Sequence, residues 1–183
     1  MAPHPSARLQ LVSIVIRPVR ETDAEQYRAL RLQALREHPE AFGADYAQNE
    51  ARPMDYWRAL MQRGQGNDQQ ITFVAEQGDK LCGMMVIVRG DSPKTAHSAN
   101  IYSVFVDLSV RGQGVATRLI EACLAWAKRQ SLRLIKLSVV ANNASALKLY
   151  LRHGFVIYGV EPEALCVDGV YYDELLLVRH LQR

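Results

Sequence analysis

Apolar positions along the chain follow two periods. After Gly114, the residues Ala116, Leu119, Ile120, Cys123, Leu124 and Ala127 recur every three or four positions, which predicts one long helix with a buried stripe. An earlier helix is predicted from Thr22-Asp-Ala-Glu25, a capping-box pattern, with Tyr27, Leu30, Arg31, Ala34 and Leu35 continuing at helical spacing until Pro39. Residues 55–63 predict another helix. A short last one is capped by Asn142 or Asn143, runs through His153 and stops at Gly154. Between the helices lie short runs rich in β-branched and other apolar residues, over 11–17, 70–76, 81–89, 97–107, 132–140, 155–160 and 171–178. Gln77-Gly-Asp79 and Val167-Asp-Gly169 read as hairpin turns. The run over 132–140 is apolar enough to be buried on both faces. The resulting order, β-α-α-β-β-β-α-β-α-β-β, predicts one α/β domain with a mixed sheet over residues 11–183, preceded by a loose arm over 1–10 that holds Pro3 and Pro5.

Composition narrows the function classes. The 183 residues are 49% hydrophobic and 22% charged, a globular balance. No apolar run approaches the roughly 20 residues of a membrane span, and the first residues lack the apolar core of a secretory signal. A net charge of +3 is too mild to predict nucleic-acid binding. Cys82, Cys123 and Cys166 are widely spaced and sit among apolar residues. They predict small core fillers in a reducing cytoplasm, with no disulfide framework and no metal site.

The chemistry is concentrated in Val104-Phe-Val-Asp-Leu-Ser-Val-Arg-Gly-Gln-Gly-Val-Ala-Thr117, where a strand ends, a turn holds Gly112 and Gly114, and the long helix begins at once. Glycine lets a ligand approach the backbone, and the first turn of a helix offers free N–H groups and a partial positive charge. Together they form an anion cradle suited to phosphate. A tight turn with no ligand would use the same residues. Two familiar phosphate motifs fail on particular positions. The third glycine of a dinucleotide fingerprint is replaced by Thr117, and no acid ends the next strand; the Gly-Lys-Ser/Thr of a Walker loop is absent.

Two further patterns carry a resemblance. Arg111-Gly-Gln-Gly114-Val-Ala116 fits the pattern Arg/Gln, two residues, Gly, one residue, Gly/Ala, and Asn143-Ala-Ser-Ala-Leu-Lys-Leu-Tyr150-Leu-Arg-His-Gly154-Phe155 follows one helix and one strand later. In this order and spacing the chain resembles the GNAT superfamily of acetyl-CoA-dependent N-acetyltransferases across nearly its whole length. The resemblance implies a central twisted, mostly antiparallel sheet of six to seven strands with about four flanking helices. It implies acetyl-CoA as cosubstrate, no metal, and transfer to a primary amine in a ternary complex. The backbone over Gly112, Gln113, Gly114, Val115, Ala116 and Thr117 would hold the pyrophosphate, with Arg111 beside it. Val104, Phe105 and Val106 would pair with the pantetheine arm. The Val106 N–H would polarise the thioester carbonyl, and Asn143 would hold the arm from the opposite wall. Tyr150 would act as general acid toward the leaving thiolate.

The base is left open. The glutamate some relatives carry after the signature helix corresponds here to Ser138, and the strand before it holds none. The candidates are Tyr102, Ser138 and an acid near the C-terminus, Asp173 or Glu174, each reached through a water chain. On the acceptor side, residues 37–56 hold five acids (Glu37, Glu40, Asp45, Glu50, Asp55) against Arg52, a local −4 that leaves +7 elsewhere. Such a lid would attract an amine, and the basic remainder would attract a polyanion. Phe42, Tyr46, Tyr56 and Trp57 offer aromatic walls or core packing. A small amine, amino acid or antibiotic is favoured as acceptor over a protein N-terminus or lysine, with neither nucleic acid nor membrane as partner and a homodimer left open. A noncatalytic acyl-CoA-binding module is the alternative, supported only by the missing glutamate.

Overall fold

The computed structural model describes residues 13–181. The arm expected over residues 1–10 and the start of the first expected strand lie outside the described residues. In chain order the elements are β1 (Ile14–Pro18), α1 (Ala24–Glu37), α2 (Tyr46–Glu50), α3 (Met54–Gly64), β2 (Gln70–Gln77), β3 (Lys80–Arg89), β4 (Ser98–Val106), α4 (Val115–Arg129), β5 (Leu134–Val140), α5 (Ala144–Arg152), β6 (Val156–Val167) and β7 (Val170–His180). The seven strands form one sheet in the order β1-β2-β3-β4-β5-β7-β6. Every neighbouring pair is antiparallel except β4 and β5. The α/β fold class and the mixed, mostly antiparallel sheet are as expected.

Strand alternation divides the core in two. One cluster gathers Ile71, Phe73, Ala75, Cys82, Met85 and Ile87 with Leu119, Ile120 and Cys123 from the stripe on α4. The other gathers Val74, Leu81, Met84 and Phe105 with Tyr27, Leu30 and Ala34 of α1 and Trp57 and Met61 of α3. The sheet is therefore covered by α4 on one face and by α1 and α3 on the other.

Several expectations need correction. Thr22 does not cap α1; it is exposed within a single 3-10 turn, Glu21–Asp23, and the residue that closes the start is Asp23, whose Oδ2 accepts the Arg20 N–H at 2.7 Å. Helix α2 makes a fifth helix inside the acidic segment. Its start is fixed by Asp45, whose Oδ1 accepts the Gln48 N–H at 2.8 Å. Strand β6 runs on to Val167 instead of stopping at residue 160, passing through Pro162 with register shifts and a positive φ at Glu163. A proline is tolerated there because β6 is the edge of the sheet. Cys82 and Cys123 are buried as expected, but Cys166 is exposed, since it lies on that edge strand rather than in the core.

A buried ion cluster ties β1, the start of α1 and β2 together. The Arg17 guanidinium donates twice to Asp23, at 2.6 and 3.0 Å, and twice to Glu76, at 2.7 and 2.8 Å. Burial pushes the Asp23 pKa up, but the hydrogen bonds from Arg17 and the Arg20 N–H outweigh it, and the net direction is down. A depressed carboxylate contributes stability that is complete above its unfolded value near 3.9 and is lost as pH falls through the lower folded value. Asp23→Ala leaves Arg17 buried with half its partners and is expected to cost about 2–4 kcal/mol in urea unfolding. Wild-type stability should fall steeply below about pH 4, and Asp23→Asn should flatten that slope.

Candidate active site

Strands β4 and β5 pair only through Ser98–Leu134, Ala99–Ile135 and Asn100–Lys136, and then part. On its other side β4 carries a bulge against β3. Met84 and Val86 oppose Phe105 and Tyr102, so Ser103 and Val104 share the space opposite Met85, and Ser103 takes a φ of 55°. A bulge adds one residue to one strand and bends it. The wedge that opens between the strands continues into a cleft of about 730 Å³. One wall holds Val104, Phe105 and Val106; the other holds Val140, Asn142, Asn143 and Tyr150.

At the mouth of the wedge is the glycine turn. Gly112 and Gly114 have φ of 79° and 74°, which side chains resist, and a Cβ at either position would meet no protein atom within 4 Å. The space is free for something else. The first helical bond of α4 runs from the Arg118 N–H to the Gly114 carbonyl, so the N–H groups of Val115, Ala116 and Thr117 precede the ladder. Gly112, Gly114, Val115, Ala116 and Thr117 all line the cleft. Gln113 does not line it; its side chain turns back toward the Ser109 carbonyl.

Arg111 also turns back from the loop. Its Nε donates to the Val106 carbonyl at 3.0 Å, and its Nη2 lies 2.9 Å from Nε2 of His38. Arginine has only donors, so that His38 nitrogen is the acceptor and its proton sits on Nδ1, 3.8 Å from a Glu40 oxygen. Below the turn, Asp107 anchors the end of β4. It accepts from Ser109 through both N–H and hydroxyl and from Gln33 of α1 at 2.9 Å, and its pKa is held low chiefly by the Ser109 hydroxyl.

Tyr150 and Asn143 are both on the second wall. Asn143 is the α5 cap, with its Oδ1 accepting the Ala146 N–H at 3.0 Å. Tyr150, two residues before the end of α5 at Arg152, is 3% exposed and stands edge-on to Phe155 at 5.9 Å. Burial, with Cys123 nearby as a lesser cause, pushes its pKa well above the ordinary phenol value. It is thus both a core residue and a lining residue, and it remains neutral.

The proposed base candidates are not brought to this cleft. Tyr102, Ser138, Asp173 and Glu174 are not among its lining residues, although Glu174 pairs in register with Val140 on its wall. Tyr102 is 53% exposed, and Asp173 accepts the Glu163 N–H. The titratable groups that do line the cleft are His38, Glu40, Arg111, Lys148, Tyr150 and Arg152. His38 and Glu40 had no motif to announce them; the only sequence signal was the acidic bias of their segment. Among the described residues, no group of three His, Cys, Asp or Glu could hold a metal ion, and no helix is long and apolar enough to cross a membrane.

Residues 25–155 match the model of the Acetyltransferase (GNAT) family. A mycothiol acetyltransferase from Brachybacterium faecium is 33% identical over 137 residues, which is 75% of this chain but only 39% of that protein. The L-amino acid N-acetyltransferase AaaT of Escherichia coli is 26% identical over 166 residues, 88% of this chain and 96% of its own length. Among solved structures, YncA of Salmonella typhimurium, determined with its cofactor acetyl-CoA, superposes with a TM-score of 0.81 at 17% identity, covering 93% of this chain and 95% of that one. With the family match spanning the glycine turn, the parted strands and the wall that carries Tyr150, this chain belongs to the GNAT acetyltransferase family.

Proposed function

We propose that this protein transfers an acetyl group from acetyl-CoA to a primary amine by direct attack in a ternary complex. The observation that carries the reading is the wedge between β4 and β5, open at its mouth onto two left-handed glycines and the free first turn of α4. The cradle fits a pyrophosphate, since a Cβ would occupy the space a phosphate needs. Gly112, Gly114, Val115, Ala116 and Thr117 would hold it through backbone N–H groups. Gln113 contributes its backbone only. The free edge of β4 at Val104, Phe105 and Val106 would take an extended arm as an added strand.

When bound, acetyl-CoA supplies the thioester as the electrophile. The chain's own groups supply position and polarity. The Val106 N–H would polarise the carbonyl, and Arg111 holds that strand end through a hydrogen bond to the Val106 carbonyl. Tyr150 keeps its proton at neutral pH and donates a hydrogen bond to the departing sulfur. Its raised pKa makes complete transfer to a thiolate uphill, because a thiol's ordinary value is near 8.5. The proton that the thiol finally holds comes from the attacking nitrogen. Glu40, the only carboxylate among the cleft-lining residues, would accept the proton that an ammonium must lose first. The near full-length similarity to AaaT supports a small amine as the acceptor.

Three measurements test this reading. Gly114→Ala should weaken acetyl-CoA binding by about tenfold or more, as the helix-terminal hydrogen bonds are lost, while the melting temperature falls only by the strain of φ 74°. An unchanged dissociation constant in the folded variant would overturn the cradle. Tyr150→Phe keeps the ring against Phe155 and should lower kcat on the order of 10²-fold with little change in acetyl-CoA affinity; single-turnover kinetics separates this from slow product release. Glu40→Gln should reduce kcat/KM most at low pH and recover as the pH approaches the amine's own pKa, because a free amine needs no base.

A further inference from the structure

A second recess, of about 1190 Å³, shares no lining residue with the cleft. The cleft lies at the C-terminal ends of β4 and β5. The recess lies at the other edge of the sheet, where the chain enters those strands. His97 and Arg133 come just before β4 and β5, Arg89 and His180 end β3 and β7, and Lys128 is in the last turn of α4. Main-chain bonds lock these segments together. The Arg133 N–H donates to the His97 carbonyl and the Leu181 N–H to the Arg133 carbonyl, both at 2.8 Å. The Arg89 Nε donates to the Ala96 carbonyl at 2.6 Å. The walls are thus rigid strand ends.

Its charge is one-sided. Arg89, Lys128 and Arg133 are permanent cations, His97 and His180 add two imidazoles, and no Asp or Glu lines it. Among the described residues, only Arg89 of these five makes a side-chain hydrogen bond, and none joins an ion pair. Elsewhere the chain gives its cations partners: Arg17 has Asp23 and Glu76, Arg58 has Asp55, and Arg179 donates to the His153 carbonyl. The C-terminus of α4 accounts for Lys128, because a cation suits that end of a helix dipole. It does not account for Arg89, Arg133 or the histidines, which lie at strand ends, and a sheet has little net dipole. Ser131 follows α4 with φ of 54°, where glycine is the usual residue, and it adds a hydroxyl to the same lining. The floor is apolar, with Leu132 and Leu181 both buried. Charges of one sign over a low-dielectric wall concentrate the field in the recess.

We propose that this recess binds a small phosphate-bearing anion, at a site separate from the acetyl-CoA cleft. Two guanidinium forks, an ammonium and a hydroxyl offer more donors than one carboxylate can accept. A phosphate group, with a charge near −2 and three free oxygens, matches them. No Phe, Tyr or Trp lines the recess, so a nucleobase has no ring to stack on, and a closed recess is not a track along a nucleic-acid strand. The ligand is therefore a compact ion read by charge, either a free phosphate or the phosphate ester of a small metabolite. The inference stands independently of the acetyl-transfer reading.

The test titrates inorganic phosphate, pyrophosphate and glycerol phosphate into the full chain by calorimetry. Wild type should bind, and binding should weaken as potassium chloride is raised. Uptake of the two inorganic ions alone assigns the site to free phosphate, and uptake of glycerol phosphate as well assigns it to esters. Pyrophosphate could also enter the glycine cradle, so two variants separate the sites. Lys128→Gln combined with Arg133→Gln, at two exposed positions, should weaken the anion's binding about tenfold or more while acetyl-CoA affinity and the melting temperature stay as in wild type. Gly114→Ala should do the reverse, weakening acetyl-CoA and keeping the anion. No binding of any of the three anions would overturn the proposal. So would binding that survives in the double variant and is lost in Gly114→Ala, which would place the anion in the cradle. A wild type that binds these anions but not acetyl-CoA would sink the transferase reading and leave this one standing.

Discussion

Three backbone pairs between β4 and β5 hold the middle of this sheet, and the absence of a fourth makes the site. The two strands are parallel, so their C-terminal ends reach the same edge, where ligands of open α/β sheets gather. Each strand hands the chain to a helix, β4 to α4 and β5 to α5, and both helices therefore start at that edge. Had β4 and β5 stayed zipped, the two helix starts would flank a closed strand pair. The bulge at Ser103 and Val104 turns β4 away, and Asp107, bound to Gln33 of α1 and to Ser109, fixes where it ends. The bend is thus pinned from the α1 face of the sheet, while the cradle forms on the α4 side.

Backbone geometry explains what was legible. The stripe of α4 and the Gly112 and Gly114 positions are local properties, written in contiguous residues, and the structure places them as the sequence predicts. So is the cap of α5, where the choice between Asn142 and Asn143 resolves to Asn143. The edge run of β6 and the exposure of Cys166 were not legible, because they depend on which strand ends the sheet. The Arg17–Asp23–Glu76 cluster spans residues 59 apart in sequence, and no periodicity announces it. Asp23 was read as part of a cap led by Thr22, when its carboxylate in fact serves both Arg20 and Arg17.

The same distinction divides the site. The proposed cofactor side would be built mostly from main-chain groups of short, glycine-marked segments, so motifs report it. The proposed acceptor side would be built from His38, Glu40 and Phe42 in the turn around Pro39, brought to the cleft by packing. His38, Glu40, Arg31 and Phe42 lie within twelve positions of one another, yet only the fold shows that His38, Glu40 and Phe42 line the cleft and Arg31 stacks behind. Of the four base candidates read from the sequence, Ser138 stands where relatives carry a glutamate on a strand, and Tyr102, Asp173 and Glu174 depend on a water chain to reach the reacting nitrogen. Strand positions fix depth in the sheet, but the cleft lies where β4 leaves it.

A consistent electrostatic logic runs through these parts. Where the chain buries a charge and supplies partners, as at Arg17, the group is structural and its neighbours shift to match. Where it buries a neutral hydroxyl, as at Tyr150, desolvation keeps the proton on the oxygen. Where it buries a charge and supplies no partner, as at Arg31, stability gains nothing from the arrangement. The first two kinds of burial make sense in the isolated chain. The third leaves one donor, Nη1, unpartnered, with the guanidinium stacked on Phe42. Arg31 lies one aromatic ring, Phe42, behind the cleft wall that carries His38 and Glu40, so the packing of that layer sets the shape of the wall.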